Sequence, residues 1–213
     1  ELAFKWYHSA ATNNLVAAQV QVGSRFEEGI GVSKNPGQAV KWYGKAVDQG
    51  SAEGQWLLGK LYYKGIGTGI DKAKAIKLLE SSAKRGVFNS QLELGKIYHL
   101  DKTWNRAKAA EQWLTKASAQ KPDSEATLYL ASIYLTGTTG DPSPGKAKQI
   151  LEQIKSERSE HGQAAQYLLG MIYLKGLFGK TKRAESVGYF KGAADMKSVN
   201  GRYGDLAAHM LGI

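Results

Sequence analysis

The sequence predicts an all-α repeat protein, a solenoid of stacked helix pairs, and three observations carry that expectation. Ala52 to Gly86 reads as a helix, a Gly-rich turn, a second helix and a closing glycine. The same layout recurs: Trp42-Tyr43 stands 36 residues after Trp6-Tyr7 and 36 before Leu78-Leu79. The glycines at the centre of successive first helices, Gly23, Gly59 and Gly95, keep that step of 36, and Ala131, Gly170 and Gly212 continue at 36, 39 and 42. A period in this range belongs to arrays in which each unit covers the apolar face of its neighbour.

Each element follows from local pattern. Glu1 to Ala11 is an amphipathic helix with Ala3, Trp6, Tyr7 and Ala10 on one face, the spacing of a buried helix side. Asn13-Asn14 makes a turn. Val16 to Glu28 forms the next helix and stops at Gly29, suited to a left-handed C-cap. Asn35-Pro36 supplies a helix start. Gln38 to Asp48 then repeats the first stripe with Ala39, Trp42, Tyr43 and Ala46. In the next unit Leu57, Leu58, Leu61 and Tyr62 face inward, Gly59 permits close helix approach, and Asp71 caps a helix carrying Ala75, Leu78, Leu79 and Ala83. The third unit departs: its first helix, Ser90 to His99, meets Leu100-Asp101 instead of a glycine, and Trp113-Leu114 arrive one residue early. The fourth has Ala131 at the centre, a Pro/Gly-rich loop from Gly137 to Gly145 and a helix over Lys146 to Glu157. Gln163 to Met196 restores the pattern, and Arg202 to Ile213 opens a sixth first helix.

Composition narrows the function classes. The chain has 213 residues, 42% hydrophobic and 10% aromatic, enough for a packed core. It has no cysteine, which removes disulfides, thiol catalysis and Cys-ligated zinc. No apolar run of about 18 residues spans a membrane. The net charge of +10 either reflects solvated lysines or attracts an acidic partner. Nucleic acid is not expected, because the basic residues are dispersed and form no nucleic-acid-binding motif. The sequence opens on ELAFKWYHSAA and closes on LAAHMLGI, so it begins and ends inside a unit. The expectation is one domain over 1–213, five to six units truncated at both ends of a longer protein. Trp6-Tyr7 at one end, and Leu206, Met210 and Leu211 at the other, then lack a covering neighbour.

LLGKLYYKGIG at Leu57–Gly67, VGSRFEEGIGV at Val22–Val32, LLGMIYLKG at Leu168–Gly176 and AVKWYGKAVDQG at Ala39–Gly50 resemble the SEL-like repeat family, extended cousins of the tetratricopeptide repeat. The resemblance covers essentially the whole chain. It implies a right-handed superhelix of antiparallel helix pairs, with first helices on the concave face and second helices on the convex one. It also implies a non-catalytic adaptor or scaffold, of a kind that serves in bacterial envelope assembly, exopolysaccharide secretion, host interaction, effector immunity and eukaryotic quality control. A periplasmic or envelope-associated place follows from that resemblance.

No enzyme constellation stands out. His8, His99, His161 and His209 fall in different units, so neither a metal nor another cofactor is expected. Gly65-Ile66-Gly67 follows a helix where a phosphate loop follows a strand. Trp6, Trp42, Tyr62, Trp113, Tyr134, Tyr173 and Tyr189 sit on the stripe read as buried. By analogy with tetratricopeptide geometry, positions three before and one, four and five after each central glycine turn into the groove. They put Trp56, Lys60, Tyr63 and Lys64 there, then Lys96 and His99, then Tyr167 and Lys175, with Glu27 and Glu28 as an acidic counterpart. Exposed aromatics beside lysines supply rigid contact area and charge steering. The plainer alternative packs Trp56 and Tyr167 between neighbouring first helices. The functional expectation is a groove that holds a protein segment, an acidic one among the candidates. The alternative is a module for an anionic exopolysaccharide, with rings stacked on sugars and lysines on carboxylates.

Overall fold

The computed structural model describes residues 2–104, 106–177, 181–196 and 202–211. Gly212, the last of the spaced glycines, and the side chain of Leu211 lie outside them. The described residues form α1 (Leu2–Thr12), α2 (Val16–Glu28), α3 (Pro36–Asp48), α4 (Ala52–Lys64), α5 (Lys72–Lys84), α6 (Phe88–Leu100), a short 3-10 turn (Lys102–Trp104), α7 (Ala107–Gln120), α8 (Glu125–Thr136), α9 (Pro144–Ile154), α10 (Glu160–Leu174), α11 (Arg183–Asp195) and α12 (Arg202–Leu211), with no strand among them. No described helix is long and apolar enough to cross a membrane.

Local chemistry explains the helix limits. Asn35, Ser51, Asp71 and Ser159 each accept a hydrogen bond from the backbone N–H three residues on, so α3, α4, α5 and α10 start with a satisfied donor. Gly29 and Gly65 close α2 and α4 in the left-handed conformation, at φ of 82° and 69°. Asn14 takes the same conformation in the α1–α2 turn, at φ 63°. Several boundaries differ from expectation. Helix α9 begins at Pro144, inside the stretch read as loop, because proline needs no N–H partner at a first helical position. It ends at Ile154, before the charged SERSEHG segment. Helix α6 begins two residues early, at Phe88.

The chain divides into two compact units, residues 1–94 and 95–213, with the division inside α6. In the first unit α2 pairs with α3 and α4 with α5, and α3 packs on α4. Its core gathers Val20, Ala39, Tyr43, Ala46, Leu57, Leu58 and Leu61. In the second unit α8 pairs with α9 and α10 with α11, and α10 lies against its fellow first helices α8 and α12. There Ala131, Ala147, Leu151, Ile154, Ala165, Leu169 and Ile172 form the main cluster.

The helix pairs close at their glycines. A Cβ on Gly23 would stand 2.5 Å from the Tyr43 ring, and one on Gly170 would stand 2.6 Å from Phe190. Leu114 crowds Gly95 in the same manner, and Leu79 and the Ala75 carbonyl flank Gly59 at 3.0 and 3.2 Å. Glutamine adds a polar tie that the sequence pattern does not disclose. Four residues before the central glycine, Gln19 donates to the Ala11 carbonyl at 3.4 Å and Gln91 to the Ala83 carbonyl at 3.1 Å. Each of these two glutamines is buried and satisfies a carbonyl near the end of the preceding helix. Of the aromatics on the stripe read as buried, Trp42 and Tyr173 are buried and Tyr62, Trp113, Tyr134 and Tyr189 are half-buried, whereas Trp6 is 71% exposed, because no described helix covers α1 as α2 covers α3.

Gly23→Leu and Gly59→Leu should each destabilise the fold by about 1–3 kcal/mol, since neither neighbour can withdraw without opening the core. A methyl group on Gly44 would meet nothing within 4 Å, and Gly44→Ala should leave stability equal or slightly raised. Denaturant unfolding of the three variants checks the contrast.

Candidate partner-binding face

In the first unit the expected site residues stand on α4, beside α2. Trp56 is half-buried and packs against the core cluster, and its indole Nε1 is buried with no hydrogen-bond partner. One turn on, the Lys60 ammonium stands 5.8 Å from the centre of the Trp56 ring and pairs with Glu27 of α2 at 2.8 Å. Glu27 also accepts a hydrogen bond from the Tyr43 hydroxyl at 2.8 Å. Burial, and then the carboxylate of Glu27, push the Tyr43 hydroxyl far above the ordinary phenol pKa. The Tyr43 proton therefore stays in place throughout the working range, and Glu27 is held between Tyr43 and Lys60. Trp56, Lys60 and Glu27 thus form one strip across α2 and α4. Tyr63 lies further along α4 with the Lys72 ammonium 5.4 Å from its ring, and Lys64 is exposed in the last turn.

In the second unit Lys96 and His99 converge on Tyr129 of α8. Lys96 pairs with Glu125 at 3.0 Å and stands 5.6 Å from the Tyr129 ring. The His99 ring meets Tyr129 edge-on at 6.1 Å. Its Nδ1 is buried without a hydrogen-bond partner, and burial lowers its pKa. Tyr167 projects from α10 against Phe190 of α11, at 5.7 Å, and Tyr203 of α12, at 6.0 Å. Lys175 is exposed at the C-cap of α10.

Repeat position alone places these eight residues, four in each unit. It does not disclose their partners on the neighbouring helices: Tyr129, Glu125, and the part Glu27 plays against Lys60. A signal for Glu27 is present, since an acid four places after one central glycine can reach a lysine one place after the next. Chemically, both faces offer ring edges and fixed cations with acids interspersed. That suits an extended or helical polypeptide carrying both apolar and charged side chains.

A family model described as the Sel1 repeat matches residues 1–15, 16–51, 52–87, 89–122, 124–154 and 163–198. Among solved structures, the chain is similar to c5321, a protective antigen present in uropathogenic Escherichia coli strains and displaying an SLR fold. The identity is 27% and the TM-score 0.80, over 98% of this chain and 44% of that one. The chain therefore spans less than half the length of that relative. It is similar to a Sel1 repeat protein from Oxalobacter formigenes at 23% identity and a TM-score of 0.76, covering 94% of this chain and 86% of that one. It also resembles the immunity protein Pa5087 from Pseudomonas aeruginosa in fold, at 19% identity and a TM-score of 0.51, over 97% of this chain and 71% of that one. Among curated proteins, none matches the sequence.

The His99 environment sets a pH dependence. Its folded pKa is depressed, so the unfolded chain binds the proton more readily, and stability falls as pH drops below the ordinary histidine value of about 6.5. His99→Phe keeps the ring contact with Tyr129 and removes the titration. Between about pH 7 and 5 the variant should lose less stability than the parent, as read from urea midpoints across that range.

Proposed function

The chain belongs to the Sel1 repeat family, and on that premise we propose that it is a non-catalytic scaffold whose first-helix face holds a segment of a partner protein. Sel1 repeat proteins generally mediate protein–protein interactions, and the family is typically a non-catalytic interaction scaffold. The observation that carries the reading is the strip on α2 and α4. A half-buried tryptophan with an unpaired indole N–H is flanked by a lysine already fixed by an acid. Ordered in this way, the side chains lose little further freedom when a partner arrives. In the first unit the partner segment brings an apolar group to Trp56 and an acidic group toward Lys64. The setting we favour is a bacterial cell-envelope or secretion-related assembly. The bacterial sources of the similar structures and the description of one as a protective antigen support it.

An aromatic anchor typically supplies about 2 kcal/mol or more, close to thirtyfold in affinity. Affinity capture with the intact chain, quantified by mass spectrometry, tests the face. Trp56→Ala with Tyr63→Ala should deplete the captured partner about thirtyfold or more while the helical circular dichroism is retained. Lys41→Glu with Lys45→Glu, on the second-helix face, should leave capture within about twofold. Equal losses from both pairs would make the attraction a whole-molecule charge effect. Capture of an acidic polysaccharide in place of a protein would overturn the proposal.

A further inference from the structure

The second unit carries a basic depression on its second-helix face, between α7 and the turn before α9. It has a volume of about 510 Å³, and Lys108, Glu111, Gln112 and Lys116 of α7 and Thr139 of the turn line it. Tyr134 of α8 lies next to it, with the Lys146 ammonium 5.4 Å from the ring. Burial, then the charge of Glu111 and a hydrogen bond to it, raise the Tyr134 pKa. The Tyr134 hydroxyl therefore keeps its proton and donates a hydrogen bond to Glu111, so that carboxylate already has a partner within the protein. Among the described residues, Lys108, Lys116 and Lys146 pair with no carboxylate. The repeat does not account for this arrangement. Lys108 and Lys116 stand six before and two after Leu114, the residue seated on Gly95. The same two positions hold Gly37 and Lys45 on α3, Ala73 and Ser81 on α5, Gly145 and Gln153 on α9, and Ala184 and Gly192 on α11. Of these second helices, α7 alone has a lysine at both.

We propose that this face of α7 is a docking site for an extended acidic segment of another protein, with carboxylates four residues apart. The charges call for an anion, and the register follows from two rises. Lys108 and Lys116 are eight residues apart on one helix, about 12 Å. In an extended chain, residues i and i+4 share one face and lie about 13 Å apart. One carboxylate therefore reaches Lys108 and the next reaches Lys116. Gln112 stands midway on the same side of α7, and its amide can both donate and accept, as the backbone between the two carboxylates requires. The site uses none of the residues assigned above to the first-helix face, so it stands or falls separately from that face.

The probe is a dye-labelled peptide of about nine residues with Glu at its third and seventh positions and Thr elsewhere, since threonine favours extended backbone. It is titrated with the full chain at about 20 mM salt, where exposed charges are weakly screened, and followed by fluorescence anisotropy. Saturable binding is expected, with a Kd below about 1 mM. A peptide of the same composition with its two Glu residues three apart puts the carboxylates on opposite faces and should bind about fivefold more weakly or worse. The chain carrying Lys108→Gln with Lys116→Gln should bind the first peptide more weakly by about the same factor. Lys41→Gln with Lys45→Gln should leave it within about twofold. Thermal melts of both variants should match the parent, since all four lysines are exposed. No saturation up to about 1 mM would overturn the proposal. Equal binding of the two peptides, or equal loss from the two lysine pairs, would mean attraction to the net charge alone and would overturn it too. Tighter binding of trigalacturonate than of the peptide, lost with Lys108 and Lys116, would make a polysaccharide the occupant and overturn it as well.

Discussion

The structure depends on one steric constraint, the seating of a large side chain on a helix-centre glycine 19 or 20 residues earlier in the chain. Tyr43 on Gly23, Leu79 on Gly59, Leu114 on Gly95 and Phe190 on Gly170 are the same contact four times. Each brings two helix backbones closer than any side chain would permit. With that distance set, the turn within each helix pair has little freedom in length, while the connection between pairs varies, so Gly170 follows Ala131 by 39 residues where the earlier steps are 36. Ala131 shows how much relaxation the contact tolerates: its methyl shares a core with Leu151, the residue 20 places on, and both are fully buried.

Core and candidate site meet in a single residue. The Tyr43 ring rests on Gly23 and its hydroxyl reaches Glu27, which holds Lys60 beside Trp56. A core contact within one helix pair therefore orders charged groups on the next first helix. The second unit has a comparable link on other helices. There the Tyr189 hydroxyl donates to Glu152 at 2.6 Å, and Tyr189 stacks on Tyr173 at 5.4 Å. Burial alone would raise the Glu152 pKa, but hydrogen bonds from Lys155 and Tyr189 outweigh it and hold the carboxyl below its usual range. Tyrosine serves in both places as a ring packed on the core, fully buried at Tyr43 and half-buried at Tyr189, with a polar end, which lets one side chain belong to the core and to the surface network.

Helices, stops and close contacts are legible in the sequence because each rests on local chemistry: the 36-residue step, Asn35 and Asp71 as caps, Gly29 and Gly65 as terminators. Proline is where pattern and structure part, since Pro144 starts α9 where loop is expected. Trp6 departs for a different reason. Its stripe is identical to that of Trp42, and burial depends on whether a covering helix is present, which periodicity along one helix does not encode. The site residues are legible as positions and not as interactions. Lys60 reads as a bare cation until Glu27 of the neighbouring helix is placed against it, and His99 reads as a surface histidine until Tyr129 arrives beside it. Such pairings are non-local, and they decide which charges remain for a partner.

Site-directed photo-crosslinking in cells tests the central claim, that the first-helix face is where a partner segment lies. A photoreactive phenylalanine analogue replaces Tyr63 on α4 in one strain and Lys41 on α3 in another. The account predicts a discrete, reproducible adduct with one protein from position 63 and none from position 41. An adduct from position 41 alone, or the same adduct from both, would contradict it.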